Sequence, residues 1–335
     1  MASMRDIARE AGVCAATVSR ILSADAGFKA SDETRERVLS TAVRLGYPVK
    51  VPEPRKKKLQ FGCVLAMTAE TYGDPYFSAI LAAAEDECSR QGAVISYLCN
   101  YTDLQKPDFL EIFLAQELDG LFLMDSVSPP ILRRIRARFP HIVSIDEEIS
   151  EVNVAGYDRL SANLQVMNCL LERGYRRIAM ISGSSTDRPL SEGIRLLVYR
   201  EALRREGIAY DPALVKDCGW NMALCASQTQ ELMRMKNPPD AIFAGSDSLA
   251  SSILSTLYSM GYRCPRDVGV IGFNNVPLSA HLIPALTTLE LPTEQMGRCA
   301  VQQLAAMIRN QNHPVQKVLF PTRLVERQSL REIHK

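Results

Sequence analysis

The sequence contains little that would support catalysis. It has no phosphate-binding loop of the form G-x-x-x-x-G-K-[ST], no G-x-G-x-x-G dinucleotide fingerprint, no G-x-S-x-G nucleophile elbow and no H-E-x-x-H metal motif. The only four histidines lie far apart in sequence, at His141, His281, His313 and His334. We therefore predict that the protein is not an enzyme, and we expect no catalytic residue, no metal site and no cofactor.

Membrane-spanning and disulfide-bonded classes are also poorly supported. No uninterrupted apolar run approaches the roughly 18 residues that a membrane span needs. The first residues, with charges at Arg5 and Asp6, lack the apolar core of a signal peptide. The nine cysteines are odd in number and form no C-x-x-C pair, which favours reduced, buried side chains. These features predict a cytoplasmic protein without a membrane segment or a zinc site.

The formal net charge of +1 hides an asymmetry along the chain. Residues 1–60 carry 12 Lys and Arg against 7 Asp and Glu, a net charge of +5, whereas the remainder carries 27 against 31, a net charge of −4. A basic head on a mildly acidic body is typical of a nucleic-acid-binding domain joined to a ligand-binding or catalytic module.

Three short helices are predicted in the basic head. Apolar residues recur at helical spacing over about 3–11, 14–22 and 31–45, and Gly12 separates the first two helices. The second helix has Val18 and Ile21 on its inward side. The opposite side carries small and polar residues where a core helix would carry Leu and Ile, namely Ala15, Ala16, Thr17, Ser19 and Arg20.

The outward side of this second helix suits the major groove of duplex DNA. Ala15 and Ala16 are small enough to let the helix approach and offer methyl groups to thymine, while Arg20 can donate in a fork to guanine O6 and N7. Thr17 and Ser19 suit phosphate oxygens, which position the helix without reading sequence. An ordinary surface turn of a helical bundle would show a similar pattern, so the helices alone leave that alternative open.

A proline-rich basic segment, PVKVPEPRKKK, follows the head and predicts a linker over residues 49–58. From Leu59 onward, short apolar runs alternate with helical segments, which predicts parallel strands covered on both faces. About eleven strands are more than one sheet usually holds. The expected fold class is therefore a small all-α helix-turn-helix domain plus an α/β body of two doubly wound parallel-sheet subdomains, with a ligand in the cleft between them.

Motifs along nearly the whole chain resemble the lactose- and galactose-repressor family of bacterial transcription regulators. In the head, D-I-A-R-E-A-G-V-x-x-x-T-V-S-R-I-L is followed by T-R-E-R-V and L-G-Y. In the body, the matching segments are DPYFSAI (74–80), GLFLMD (120–125), ERGYRRIAMISG (172–183), FAGSDSLA (243–250) and RDVGVIGFNN (266–275). The loop SADAGFKASDET and the DPYF segment look most like the subgroup that includes the repressor of the evolved β-galactosidase operon.

The resemblance implies a DNA-binding head, a hinge and two subdomains like those of periplasmic sugar-binding proteins, linked by three chain crossings. We place the head at 1–48, the hinge at 49–58 and the ligand-binding and dimerisation domain at 59–335. Crossings near 155, 287 and 320 would give an N-subdomain of about 59–155 and 288–320 and a C-subdomain of about 156–287 and 321–335. Because one head reads only a half-site, we expect a homodimer on a palindromic double-stranded operator.

The resemblance also implies regulation by a small sugar, with a galactoside among the candidates. Ligand closing the cleft would change the spacing of the two heads and hence the operator affinity. Proteins of this family include both regulators controlled by an inducer and regulators controlled by a corepressor. A sugar-binding transport protein without DNA function is the rival reading, and the basic head and the missing signal peptide argue against it.

Positions that match the family's effector contacts supply groups suited to a sugar. Forked donors and carboxylates satisfy paired hydroxyls, and an aromatic face covers the apolar side of the ring. Arg195 is the leading candidate, as a bidentate clamp. The expected ligand contacts are Asp74, Tyr76, Phe77, Asp146, Arg195, Trp220, Asp247 and Asn274.

Some of these residues also have a purely structural interpretation. Trp220 could be a core residue, Asp146 a turn former, and the Tyr76–Phe77 pair ordinary packing. Asn274 departs from the aspartate common at this place in the family, which removes a charge and leaves a specific galactoside assignment open.

The linker predicts a strong salt dependence of DNA binding. Pro52 and Pro54 would break the short hinge helix that relatives fold on DNA, and the relatives' Ala-Arg-x-x-Leu run is absent. The basic run that can hold phosphates instead is Arg55, Lys56, Lys57 and Lys58. We expect weaker bending of the duplex than in the family, and a log–log salt slope of about −0.9 for each phosphate contact. Fluorescence anisotropy titrations across a range of salt concentrations test this, and a nearly flat profile would contradict it.

Overall fold

The structure, a computed structural model, describes residues 2–23, 25, 28–48, 58–65, 74–124, 127–184, 189–310 and 313–332. The chain divides into two compact units, Met1–Lys58 and Leu59–Lys335. Of the predicted linker, Lys58 alone lies within the described residues, so the basic side chains of Arg55, Lys56 and Lys57 fall outside them.

The first unit is formed by three helices, α1 (Met4–Ala11), α2 (Ala15–Leu22) and α3 (Asp32–Arg44). At the start of α1, the Ser3 hydroxyl accepts from the Asp6 N–H, and the Asp6 carboxylate accepts from the Ser3 N–H in return. Gly12 ends α1 with a φ of 68°, a left-handed conformation that glycine adopts without strain. The sharp turn at Gly12 leads the chain directly into α2.

The three helices share one apolar core, because helices this short are marginal alone. Its buried side chains are Ile7, Ala8, Ala11, Val18, Ile21, Val38 and Ala42. Two contacts fix α3 against the end of α1. Arg37 donates through Nε to the carbonyl oxygen of Ala11 at 3.1 Å, and Arg44 Nη2 pairs with Glu10 Oε1 at 2.7 Å. The predicted helix-turn-helix domain is confirmed.

In the second unit, the described residues form two six-stranded sheets. In chain order the strands are β1 (Leu59–Leu65), β2 (Ala93–Asn100), β3 (Gly120–Met124), β4 (Ile142–Ile145), β5 (Asn153–Tyr157), β6 (Ile178–Ser182), β7 (Val215–Asp217), β8 (Ala241–Ala244), β9 (Gly269–Asn274), β10 (Thr287–Glu290), β11 (Lys317–Phe320) and β12 (Arg323–Val325). The first sheet has the order β11-β5-β4-β3-β1-β2 and the second β12-β10-β9-β8-β6-β7. All described pairings are parallel except β10 with β12.

Helices connect these strands. In chain order they are α4 (Pro75–Gln91), α5 (Tyr101–Leu104), α6 (Pro107–Leu114), α7 (Pro129–Arg138), α8 (Arg159–Glu172), α9 (Ile194–Arg205), α10 (Met222–Met233), α11 (Asp247–Ser259) and α12 (Thr293–Arg309). Every residue of β3 and of β6 is buried, as expected for parallel strands covered on both faces. The predicted pair of doubly wound subdomains is confirmed. None of the helices that the structure describes is both long and apolar enough to cross a bilayer.

Within the described residues, the chain passes from one sheet to the other three times. The first passage follows Tyr157, the last residue of β5, which pairs with Phe320 of β11. The second follows Glu290, because Thr287–Glu290 pairs with β9 in the second sheet. Helix α12 then packs on α4 and on the first sheet. The third passage lies between β11 and β12, near residue 320.

Candidate functional site

The structure brings the predicted DNA-contacting residues of α2 to one side of that helix. Ala15, Ala16, Ser19 and Arg20 are exposed, and Thr17 is half-buried. On the opposite side Val18 and Ile21 are buried in the core of the unit. Cys14 precedes α2 without a capping hydrogen bond from its thiol to the helix N–H groups. Its Sγ lies 3.2 Å from the Thr17 hydroxyl, and that hydrogen bond lowers the pKa of the thiol.

A cavity of about 210 Å³ opens at the carboxyl ends of the strands of both sheets. Ligands of open α/β sheets bind at this edge, because loops there diverge to either side. Seven of the eight predicted ligand contacts line it: Asp74, Tyr76, Phe77, Asp146, Arg195, Trp220 and Asn274. The eighth, Asp247, does not.

Arg195 is held by three acceptors. Its Nη1 donates to Ser182 Oγ at 2.7 Å and to the carbonyl oxygen of Gly245 at 3.0 Å, and its Nε lies 3.3 Å from Asn163 Oδ1. Its guanidinium carbon lies 4.7 Å from the ring centroid of Phe273. Burial lowers the pKa of Arg195. Within the described residues Nη2 makes no hydrogen bond, so its two N–H groups remain for a ligand.

The close approach of Arg195 depends on Gly245. A Cβ at this position would lie 2.6 Å from Arg195 Nη1 and 2.4 Å from Ser182 Oγ. Because a glycine without Cβ follows β8, the guanidinium can reach the backbone there.

Trp220 and Asn274 complete this wall of the cavity. Trp220 adopts a positive φ of 62°, and its Nε1 donates to the carbonyl oxygen of Ser184 at 3.0 Å. The indole nitrogen is thus satisfied by the protein, leaving the ring as an apolar surface. Asn274, with a φ of 109°, ends β9, and its side-chain amide makes no hydrogen bond to any residue in the described ranges. That amide is available to a ligand hydroxyl.

The opposite wall is formed by hydrogen-bonded and ion-paired side chains around Asp146. Its Oδ2 accepts from the Tyr76 hydroxyl at 2.9 Å, and its Oδ1 accepts from Arg159 Nη2 at 3.0 Å. Arg159 Nη1 also pairs with Glu147 Oε2 at 2.7 Å. Burial, reinforced by the Asp146 charge, raises the pKa of Tyr76. Burial alone would lower the pKa of Arg159, but Asp146, Tyr157 and Glu147 together raise it.

Asp74 links the two subdomains across the mouth of the cavity. Its Oδ1 accepts from the Tyr76 N–H at 2.9 Å and so caps α4. Its Oδ2 accepts from the hydroxyl of Ser248, on α11, at 3.1 Å. Phe77 packs edge-on against Tyr76, with ring centroids 5.1 Å apart. The hydrogen bond between Ser248 and Asp74 therefore spans the cleft at the entrance.

Asp247 lies behind the cavity wall. It is only 1% exposed, and its carboxylate accepts from the Thr288 hydroxyl at 2.5 Å and from the Val276 N–H at 2.8 Å. These bonds hold the loop that follows Asn274, the last residue of β9. Burial raises the pKa of Asp247 to about 7. Asp247 therefore stabilises the backbone behind the cavity wall and does not line the cavity.

Several cavity residues were not found by sequence reasoning. Ser182 ends β6, and its place at the carboxyl end of a parallel strand is the sequence signal that could have found it. Arg159 and Asn163 lie on α8, and only the fold brings them to Asp146 and Arg195. Phe273 lies one residue before Asn274 and stacks on Arg195. In the part of the chain that the structure describes, no group of three or more His, Cys, Asp or Glu side chains could hold a metal ion.

Both units match known protein families. Residues 3–48 match the model "Bacterial regulatory proteins, lacI family", and residues 167–330 match the model "Periplasmic binding protein-like domain". The HTH-type transcriptional repressor MelR of Bacillus subtilis (strain 168) is 31% identical, with 98% of this chain and 97% of MelR covered. The HTH-type transcriptional repressor CytR of Escherichia coli (strain K12) is 30% identical, with 99% of this chain and 97% of CytR covered.

Solved structures share the fold over almost the whole chain. The complex of the transcriptional regulator CelR with cellobiose has a TM-score of 0.73 at 25% identity, covering 98% of this chain and 100% of CelR. The Lac repressor dimer bound to operator and the anti-inducer ONPF has a TM-score of 0.72 at 22% identity, covering 98% of each chain.

The raised pKa of Asp247 predicts that the free energy of unfolding depends on pH. Between pH 4 and about 7 the folded chain keeps a proton that the unfolded chain loses, so the free energy of unfolding falls as the pH rises. The slope from this group approaches about 1.4 kcal/mol per pH unit. Asp247→Asn should flatten the profile in this window, because an amide does not titrate. The variant should still fold, since the amide can bond to Thr288 and to Val276. Urea unfolding from pH 4 to 8 measures it.

The exposed Asp267→Asn serves as the matched control, since its pairing with Arg266 lowers the pKa of Asp267 and puts its titration below this window. A profile for Asp247→Asn that parallels the wild type would show that Asp247 is already ionised in the folded chain.

Proposed function

The chain belongs to the lacI family of bacterial regulatory proteins, and on this premise we propose that it represses a sugar-utilisation operon under the control of a small sugar. Two heads bind a palindromic operator, and the ligand binds in the cleft of the body. The observation that carries the effector assignment is the half-buried guanidinium of Arg195 in the cavity wall, with Nη2 free of partners among the described residues.

The exposed side of α2 supports the role in DNA binding. Small side chains at Ala15 and Ala16 let the helix enter the major groove, and the exposed Arg20 supplies the fork that matches guanine. Thr17 and Ser19 serve as phosphate contacts. The presence of this domain makes a free transport protein the poorer explanation of the body.

The cavity supports a neutral, polyhydroxylated ligand. Arg195 and Asn274 offer hydrogen-bonding groups, and Trp220 and Phe77 offer rings that can cover the apolar side of a sugar. The charge of Arg159 is already balanced by Asp146 and Glu147, so this wall does not call for a charged ligand. CelR, which shares the fold, was solved with cellobiose. We propose binding without catalysis, as for the repressor relatives MelR and CytR.

Binding in the cleft can change the arrangement of the subdomains. The hydrogen bond between Ser248 and Asp74 joins them across the mouth, and a ligand that touches both walls would favour the closed arrangement. In a dimer, a change of that arrangement alters the spacing of the heads on DNA.

A dimer surface is available on the second subdomain. Tyr258 on α11 is 86% exposed and Ile283 is 95% exposed, so both apolar residues are accessible to a second chain. Met222 on α10 is also exposed, and its carbonyl oxygen accepts from Ser252 of α11. The Lac repressor is a dimer on its operator. We propose that this surface packs against its copy in a second chain.

Loss of sugar binding in Arg195→Ala is the first prediction of this function. We expect one or more of melibiose, cellobiose, galactose and ribose to raise the Tm of the full chain by several degrees at about 100 times its Kd, since a ligand stabilises the state that it binds. The rise should disappear in Arg195→Ala and shrink in Arg195→Lys, which keeps the charge but not the fork. Differential scanning fluorimetry measures it.

The matched control is Arg200→Ala, which removes an exposed arginine from the same helix. A sugar-dependent rise that persists undiminished in Arg195→Ala would contradict the assigned site.

Disruption of the dimer is the second prediction. Tyr258→Asp combined with Ile283→Asp places two charges on the proposed surface, so the protein should sediment as a monomer and lose most of its operator affinity. The comparable change Leu197→Asp, at an exposed leucine of α9, should leave a dimer. Analytical ultracentrifugation distinguishes the two results, and a double variant that still sediments as a dimer would place the interface elsewhere.

A further inference from the structure

An aromatic contact in the helix-turn-helix unit has no role in the function described so far. The guanidinium carbon of Arg20 lies 5.4 Å from the centroid of the Phe28 ring. Arg20 is exposed on α2, whereas Phe28 is half-buried and packs against the core of the unit. A fixed ring therefore lies beside a side chain that faces solvent.

The backbone holds the ring in this place. The Asp25 N–H donates to the carbonyl oxygen of Arg20 at 3.0 Å, and the Phe28 N–H donates to the carbonyl oxygen of Asp25 at 3.1 Å. The Ser23 hydroxyl also donates to the Arg20 carbonyl oxygen, at 3.2 Å. These bonds link the end of α2 to the residue that carries the ring, so the position of Phe28 follows that of Arg20.

The contact leaves the donors of Arg20 unused. Arg9 and Arg44 in the same unit are ion-paired with Asp6 and Glu10, which occupy their N–H groups. Within the described part of the unit, Arg20 makes no ion pair and no side-chain hydrogen bond. A ring attracts the face of a guanidinium and leaves its N–H edge open, whereas a carboxylate would cover that edge.

We propose that Phe28 is a positioning residue that holds Arg20 in the orientation that reads a guanine of the operator. The inference rests on the proposed role of Arg20 in base recognition. An unrestrained arginine loses rotamer freedom when it binds, and prior ordering by the ring removes part of that cost. Phosphate contacts elsewhere gain nothing from this ordering, so Phe28 affects selectivity for the operator more than binding to arbitrary DNA.

The experiment begins with selection of a preferred duplex from a library of random sequences by the full-length wild-type protein. Affinities for that duplex and for a scrambled duplex are then measured for the wild type, Phe28→Leu, Phe28→Tyr and Arg20→Ala, and for Arg20→Ala combined with Phe28→Leu. Leucine keeps an apolar side chain but removes the ring, and tyrosine keeps the ring.

We expect Phe28→Leu to weaken binding of the selected duplex about 4- to 25-fold, since a cation–π contact at an exposed site corresponds to about two- to fivefold per head and two heads multiply. Binding of the scrambled duplex should change little. The variant Phe28→Tyr, which keeps the ring, should bind the selected duplex with the wild-type affinity. In the Arg20→Ala background Phe28→Leu should have no further effect.

Two results would overturn the inference. One is an unchanged affinity of Phe28→Leu for the selected duplex. The other is a loss that is equal in the Arg20→Ala background or equal on scrambled DNA, because either shows that Phe28 acts on folding or on general binding. The single variant Arg20→Ala reports on the proposed function itself, since it must lose selectivity at a guanine if Arg20 reads a base.

Discussion

The hydrogen bonding of the half-buried Arg195 guanidinium is the interaction on which the ligand-binding body depends. A charge that is partly removed from water must be compensated, and here three neutral acceptors and an aromatic face do so in place of a carboxylate. Two of those acceptors, Ser182 and Gly245, stand at the ends of neighbouring strands β6 and β8. The parallel sheet thus fixes the arginine, and the loop geometry leaves one edge of it facing the cavity.

The wall formed by Asp146 has the opposite character. Each oxygen of its carboxylate accepts one hydrogen bond, from Tyr76 and from Arg159, and Arg159 is the first residue of α8, where the chain has just crossed from one subdomain to the other. The chain segment that crosses between the subdomains is therefore held to the first sheet by the ion pairs of Arg159. Arg195, in contrast, is held by residues at the ends of strands in the second sheet. A ligand that bridges the two walls connects both subdomains, which gives it a differential affinity for the closed arrangement.

Sequence patterns predicted the fold class because continuous apolar runs between helices permit few other arrangements. The resemblance implied Asp146 and Asn274 as ligand contacts; both line the cavity, and the positive φ of both turns the chain sharply at the sheet edge. Asp247 also follows a strand, yet it begins α11, and its side chain turns toward Thr288, which lies 41 residues further along the chain. Local sequence does not contain that partner.

The same limit explains the remaining differences. The sheet that Thr287–Glu290 joins is decided by pairing with β9, a partner that the segment's own sequence does not specify. Arg159 and Asn163 lie on a helix with no distinguishing motif, and their roles come from partners that the crossing brings near. In the head, motif and structure agree because the motif covers α1, α2 and part of α3, and so includes residues of all three helices that form the shared core.

Reciprocal linkage between the cleft and the operator tests the account most directly. The sugar that stabilises the full chain would be titrated calorimetrically into the free protein and into the protein bound to its selected duplex. The account predicts two different sugar affinities, whose ratio equals the ratio of operator affinities with and without saturating sugar. Identical sugar affinities for the free and the DNA-bound protein would contradict it, because cleft and heads would then be independent.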